Sequence, residues 1–239
     1  MGRASRSSER EPPAAHTGAV KLGVLVSGRG SNLEAVLGAR IPDLEVAIVV
    51  SNRPGVRALE VAERFGTPTR VMLRADFADA ESRDAAIGRM LASAGCDLAL
   101  LAGYDQVLTG GYFATFAGRT INIHPSLLPA HGGRGMLGMA VHAAVLAATE
   151  IESGATIHEV TPELDGGPIL AQARVPVRPD DDPARLAERV LKAEHRLLVE
   201  ALAGLAADRS IGMPRARMAG ASAVAADSHE THERPLPHA

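Results

Sequence analysis

Five short apolar runs constrain this chain more than any other feature: "KLGVLVS" (21–27), "LEVAIVVS" (44–51), "TRVML" (69–73), "DLALLAG" (97–103) and "TINIH" (120–124). They are close to continuously apolar rather than alternating. A strand reads this way when it is buried on both faces, as in a parallel sheet covered by helices. Between the runs lie "NLEAVLGAR", "VRALEVAERFG", "SRDAAIGRMLASAG" and "VLTGGYFATFAG", whose apolar residues recur at spacings of three and four, the helical period. Strand and helix in alternation, joined by right-handed crossovers, predict an α/β fold with a doubly wound, mostly parallel sheet. After residue 150 the pattern changes. "GATIHEV" and "GPILAQARVPV", on either side of "TPELDGG", read as a C-terminal strand pair around a turn. "DPARLAERVLKAEHRLLVEALAGL" then reads as a long closing helix begun by its Asp-Pro pair. The expected organisation is one domain over residues 18–212, with disordered tails over 1–17 and 213–239. Histidines 229, 232 and 238 could touch a metal, but the looseness of the second tail speaks against a site there.

Composition narrows the class. Lys and Arg total 25 against 28 Asp and Glu, so the chain lacks the basic excess of a nucleic-acid partner. Its one cysteine, Cys96, cannot form an internal disulfide and borders an apolar run, which reads as a buried, inert thiol in a reducing compartment. No apolar run approaches the roughly 18 residues of a membrane span. The first residues, "MGRASRSSEREPPAAHTG", contain no apolar core of a signal peptide. The expectation is a cytoplasmic protein acting on small molecules, with no nucleic-acid or membrane partner, as a monomer or homodimer.

In sheets of this type ligands sit beyond the carboxyl ends of the strands. The polar residues of the chain gather at those ends, at 27–32, 51–52, 103–106 and 122–125. In "SGRGSNLEA", Gly28 and Gly30 allow a sharp turn and a close backbone approach to a ligand. The helix start that follows aims its N–H groups and its dipole at an anion. Gly30, Ser31 and Asn32 are therefore candidate phosphate binders. The motif also shares two glycines with the dinucleotide fingerprint, although Leu33 replaces the third. Arg53, after the second strand, could take a 2′-phosphate, which keeps an NADP-binding oxidoreductase open as a rival.

"INIHPSLLP" (121–129) is more specific. Asn122 and His124 alternate with isoleucines and so share one face at the strand's end, where Pro125 stops it. An amide and an imidazole side by side suit carbonyl addition: donors for a developing oxyanion and a group that titrates near neutrality. Asp165 of "LDGGPI" reads either as a turn former or as the carboxylate that holds His124 in its charged form. Nothing in the spacing indicates a metal site or a serine nucleophile.

"SGRGSNLEA", "NIHPSLLP" and "LDGGPI", in this order and with "EH" at 194–195, resemble the phosphoribosylglycinamide formyltransferases of purine synthesis over residues 21–205. The resemblance implies that 10-formyltetrahydrofolate is the co-substrate and that no metal takes part. It implies Asn122, His124 and Asp165 as catalytic residues, Gly30, Ser31 and Asn32 on the substrate's 5′-phosphate, and Glu194 on its glycinamide-ribose part. Folate is implied along Asp105, Gln106, Val107 and Leu108, beside Asn122, and along the turn of Thr161, Pro162, Glu163, Leu164 and Asp165. His158 is expected behind the reacting groups. Asp105 and Gln106 depart from the family's apolar and basic pair, so a cation for the folate tail is missing there, and Arg83 fits the family's arginine poorly by spacing. The glycines of "AHGGRGMLGMAVH" (130–142) imply a mobile flap. Two related enzymes, methionyl-tRNA formyltransferase and formyltetrahydrofolate deformylase, are alternatives, each expected to need a further domain.

Overall fold

The computed structural model describes residues 18–208; both predicted tails otherwise lie outside the described residues. Seven strands and six α-helices run in the order β1 (Val20–Val26), α1 (Ser31–Ala39), β2 (Leu44–Ser51), α2 (Arg57–Arg64), β3 (Thr69–Val71), α3 (Ala80–Ser93), β4 (Leu98–Leu101), α4 (Gly110–Thr115), β5 (Arg119–His124), α5 (Met139–Ala147), β6 (Glu152–Glu159), β7 (Ile169–Pro176) and α6 (Pro183–Ala207). They form one sheet of order β3-β2-β1-β4-β5-β6-β7. The strands from β3 across to β5 pair in parallel, and β6 and β7 add in antiparallel. The predicted fold class is the observed one.

The side chains of β1 show why its sequence is continuously apolar. Leu22, Val24 and Val26 meet α1, α2 and α6 on one face, through residues such as Leu33, Val61 and Leu198. Leu25 meets Ile87 and Leu91 of α3 and Tyr112 of α4 on the other. Truncating a leucine such as Leu100, which is wholly buried, costs about 2–5 kcal/mol in sites of this kind. α6 starts where the Asp-Pro pair predicts: Asp182 accepts a hydrogen bond from the Arg185 N–H at 2.8 Å, and Pro183 begins the helix. Cys96 is buried in the second cluster, and burial pushes its thiol up to about 11, as an inert thiol requires.

One element differs from the sequence reading. The segment expected to be a glycine-rich flap ends in a regular helix, α5, whose Val141 and Val145 are buried. The glycines occupy only its approach, where Gly133, Gly135 and Gly138 take positive φ.

The order of strands reverses between β1 and β4, which opens the crevice at their carboxyl ends. Register carries this edge across the sheet: Leu25 lies beside Leu101, Leu101 beside Asn122, and Asn122 opposite His158.

Candidate active site

The glycine turn joins β1 to α1. Gly30 stands at the N-cap with φ 73°, and no side chain caps the helix. The open N–H groups of the first turn are thus directed at the crevice, a site for an anion. A Cβ on Gly30 would lie 2.6 Å from the Ala58 Cα, so glycine is required here by both backbone conformation and packing against α2.

Asn32 is turned away from the turn's mouth. Its Nδ2 donates to Glu194 Oε2 at 2.8 Å, tying the first turn of α1 to α6, and both side chains are buried. Burial raises the Glu194 carboxyl above the ordinary glutamate range, against the opposing effects of the Asn32 hydrogen bond and the Arg29 charge.

At the ends of β5 and β6 the structure brings together Asn122, His124, His158 and Asp165. His158 Nδ1 lies 2.9 Å from the Glu159 carbonyl oxygen, which can only accept, so Nδ1 carries a proton. Nε2 of the neutral ring is then an acceptor for Asn122 Nδ2 at 3.1 Å. Burial lowers the His158 pKa, and the Glu159 carbonyl and Asp165 offset it only in part. His124 is also buried, with Nε2 2.9 Å from the His131 carbonyl oxygen, to which it donates, and Nδ1 facing Asp165 Oδ2 at 3.9 Å. Asp165 adopts φ 53° and lies 3.6 Å from His158 Nε2 through its other oxygen. Its Oδ2 accepts the Gly133 N–H at 2.8 Å. The loop before α5 is therefore bonded to both His124 and Asp165 through its own backbone.

The sequence placed His158 behind the reacting groups, and it stands there in contact with Asn122. His158 is the antiparallel partner of Asn122 in the β5–β6 pair, a neighbour that local sequence spacing does not reveal.

The segment 104–108 follows β4. Leu108 is buried, Val107 is 56% exposed, and Tyr104 is buried with its hydroxyl pushed up to about 12 by burial. Val160, just before the turn of Thr161, Pro162, Glu163, Leu164 and Asp165, packs against the cluster that holds Tyr104 and Leu108. The two segments expected to hold folate are thus neighbours. The side chains of Asp105 and Gln106, however, are turned inward. Asp105 Oδ1 accepts from Asn52 Nδ2 at 2.7 Å, Ser27 Oγ at 3.0 Å and Gln106 Nε2 at 3.1 Å, and Oδ2 pairs with Arg53. Burial pushes the Asp105 carboxyl up, but these donors and the Arg53 charge outweigh it and hold it below the ordinary aspartate range. Arg53, kept open by the sequence as a ligand of a 2′-phosphate, is engaged by Asp105. Arg83 is 1% exposed and pairs with Asp84 at 2.7 Å. Among the described residues no group of three or more His, Cys, Asp or Glu is placed to hold a metal ion, and no helix is long and apolar enough to cross a membrane.

An amide and an imidazole beside a carboxylate, next to an open helix start, define a site for acyl-type transfer to or from a phosphorylated substrate. Residues 20–202 match the formyl transferase family model. The chain belongs to the formyl transferase family. Within it, the phosphoribosylglycinamide formyltransferase of Haemophilus influenzae is 38% identical over 181 residues, which cover 74% of this chain and 82% of the relative. The glycinamide ribonucleotide transformylase 1 of Symbiobacterium toebii superposes with a TM-score of 0.74 at 39% identity, over 79% of this chain and 88% of that one. The trifunctional purine biosynthetic protein adenosine-3 of Drosophila melanogaster is 42% identical over 190 residues, 77% of this chain. This chain spans only 14% of that longer relative's length.

Proposed function

We propose that this chain transfers the formyl group of 10-formyltetrahydrofolate to the amine of 5′-phosphoribosylglycinamide, a step of purine biosynthesis, through a single domain over residues 18–212. The observation that carries this reading is the gathering of Asn122, His124, His158 and Asp165 on the same sheet edge as the uncapped start of α1. Two similar enzymes, covered by this chain over 82% and 88% of their lengths, are named for formyl transfer to this nucleotide.

The 5′-phosphate sits on the N–H groups of Gly30, Ser31 and Asn32, and Glu194 holds the ribose-glycinamide part. The pterin pairs with the main chain of Asp105, Gln106, Val107 and Leu108 and with the turn of Thr161, Pro162, Glu163 and Leu164, while the side chains of Asp105 and Gln106 serve the frame. The substrate amine attacks the formyl carbon. A C–N bond forms, and the carbonyl oxygen takes up negative charge. Asn122 has a second amide hydrogen beyond the one given to His158, and it donates that hydrogen to the oxyanion. Protonated His124 donates the second hydrogen bond, which requires its Nε2–H to leave the His131 carbonyl. Asp165 holds His124 and passes the amine's proton toward N10 of the folate as the C–N10 bond breaks.

The test is a turnover assay of the full chain with both substrates, following appearance of tetrahydrofolate. Product that depends on both substrates is the expected result. Absence of turnover with folded protein at millimolar substrate would overturn the assignment.

A further inference from the structure

Asp105 stands where the carboxyl ends of three adjacent strands meet. Ser27 follows β1 and leads directly into the glycine turn. Asn52 and Arg53 follow β2, and Gln106 belongs to the segment after β4. All of these side chains donate to the one carboxylate. The tie to Ser27 is reciprocal: Ser27 Oγ donates to Asp105 Oδ1 at 3.0 Å and accepts the Asp105 N–H at 3.0 Å. The carboxylate is only 14% exposed, so its bonds are largely shielded from water and are worth more than surface contacts. The Arg53 guanidinium, itself 57% exposed, neutralises the charge from the rim.

We propose that Asp105 is a positioning residue that couples the phosphate-binding turn to the folate-binding segment, so that binding of either substrate tightens binding of the other. The proposal rests on the function proposed above. Each ligand orders the segment it touches. An ordered turn at residues 28–32 fixes Ser27, Ser27 fixes Asp105, and Asp105 fixes the backbone of its own segment and Gln106. The second ligand then meets a segment already ordered and loses less conformational freedom on binding, which is positive coupling without a large change of shape. Gln106 extends the same frame to α3, since its Oε1 accepts from Arg83 Nη1 at 3.4 Å.

The test uses the full chain and calorimetric titration of phosphoribosylglycinamide, alone and with saturating tetrahydrofolate, the product folate that carries no formyl group to transfer. Coupling of the usual size tightens the nucleotide about fivefold or more in the wild type. In Asp105→Ala the ratio should fall to near one, because Ser27, Asn52 and Gln106 lose their common acceptor. Ser27→Ala removes the nucleotide arm alone and should abolish the same ratio. It decides the question if Asp105→Ala does not fold. A ratio of one in the wild type, or a wild-type ratio retained in either folded variant, would overturn the coupling while leaving the proposed reaction standing. A wild type with neither turnover nor nucleotide binding would overturn the proposed reaction, and the coupling with it.

Discussion

Glu194 is a buried acid that accepts a hydrogen bond from the Asn32 amide, and its proposed role on the nucleotide sets stability against binding. Its carboxyl is raised from the ordinary value of 4.5 by burial. A folded-state pKa above the unfolded one means that the folded protein holds the proton more tightly. The associated stability is therefore fully present below about pH 4.5 and is lost as pH rises through the folded value. Glu194→Gln removes the ionisation and keeps an acceptor for Asn32. At pH 7–8 it should raise Tm by about 2–4 °C for each kcal/mol recovered, with the advantage shrinking toward zero as pH falls to 4.5. The KM for the nucleotide should rise at the same time. Differential scanning fluorimetry across pH, beside nucleotide kinetics, checks both halves; a flat difference across pH would refute the linkage. Asp165 makes a different demand. It faces His124 at 3.9 Å and His158 at 3.6 Å, and it holds the loop through Gly133. Asp165→Asn should lower kcat by roughly 10²- to 10³-fold, the usual loss for a charged partner of the transition state. Nucleotide affinity should stay near the wild-type value. His124→Ala should cost a similar factor, and the double variant far less than the product, since the pair acts as a unit. Multiplicative losses in steady-state kinetics would return Asp165 to the role of a turn residue.

Elements show which parts of the site could be read from spacing and which could not. The α1 start was legible because glycine, position and the preceding apolar strand all agree on one turn. Its required conformation now has a measure, since Gly30 lies at φ 73° with Ala58 behind it. Gly30→Ala should therefore lose about 1–2 kcal/mol to the left-handed backbone alone. A further loss comes from the displacement of α2, since the new Cβ would lie 2.8 Å from that of Ala58. Urea denaturation should show the lower midpoint, and the KM of the nucleotide should rise more than that of folate. An unchanged midpoint would mean that α2 is free to move aside. The helix α5 was not legible, because "GGRGMLGMAVH" opens with glycines that break the helical period before Val141 and Val145 can establish it. The turn at Asp165 was legible as a turn, but its positive φ at a non-glycine residue is set by tertiary contacts with His124, His158 and Gly133.

At the scale of the whole molecule, the sheet acts as a ruler that sets all parts of the site on one edge. Strand register brings Leu25, Leu101, Asn122 and His158 into one row, and Ser27, Asp105 and His124 follow within a few residues on the same edge. This much follows from the alternation of apolar runs. What stays hidden in a linear reading is pairing between distant residues: His158 with Asn122, Asp105 with Ser27 and Asn52, Glu194 with Asn32. Each depends on which strand or helix becomes a neighbour, and local periodicity carries no information on that. Asp84 makes the same point through its bond to Thr109. Asp84 takes Arg83 Nε at 2.8 Å and Nη2 at 2.7 Å on one oxygen, and the Thr109 N–H at 2.9 Å on the other. It thus anchors the end of the segment proposed to hold folate to α3. Both side chains are almost wholly shielded from solvent. Asp84→Asn leaves the guanidinium buried without its counter-charge, a change that costs about 3–5 kcal/mol in comparable interiors. The expected result is a large drop in the urea midpoint with an unchanged m-value, and a KM for folate that rises more than that for the nucleotide. Glu188→Gln, which breaks an exposed pair with Lys192 along α6, should leave the midpoint where it is. Equal midpoints for the two variants would mean that the buried pair is dispensable, and that the segment proposed to hold folate is held by the bonds of Asp105 and the packing of Tyr104 and Leu108.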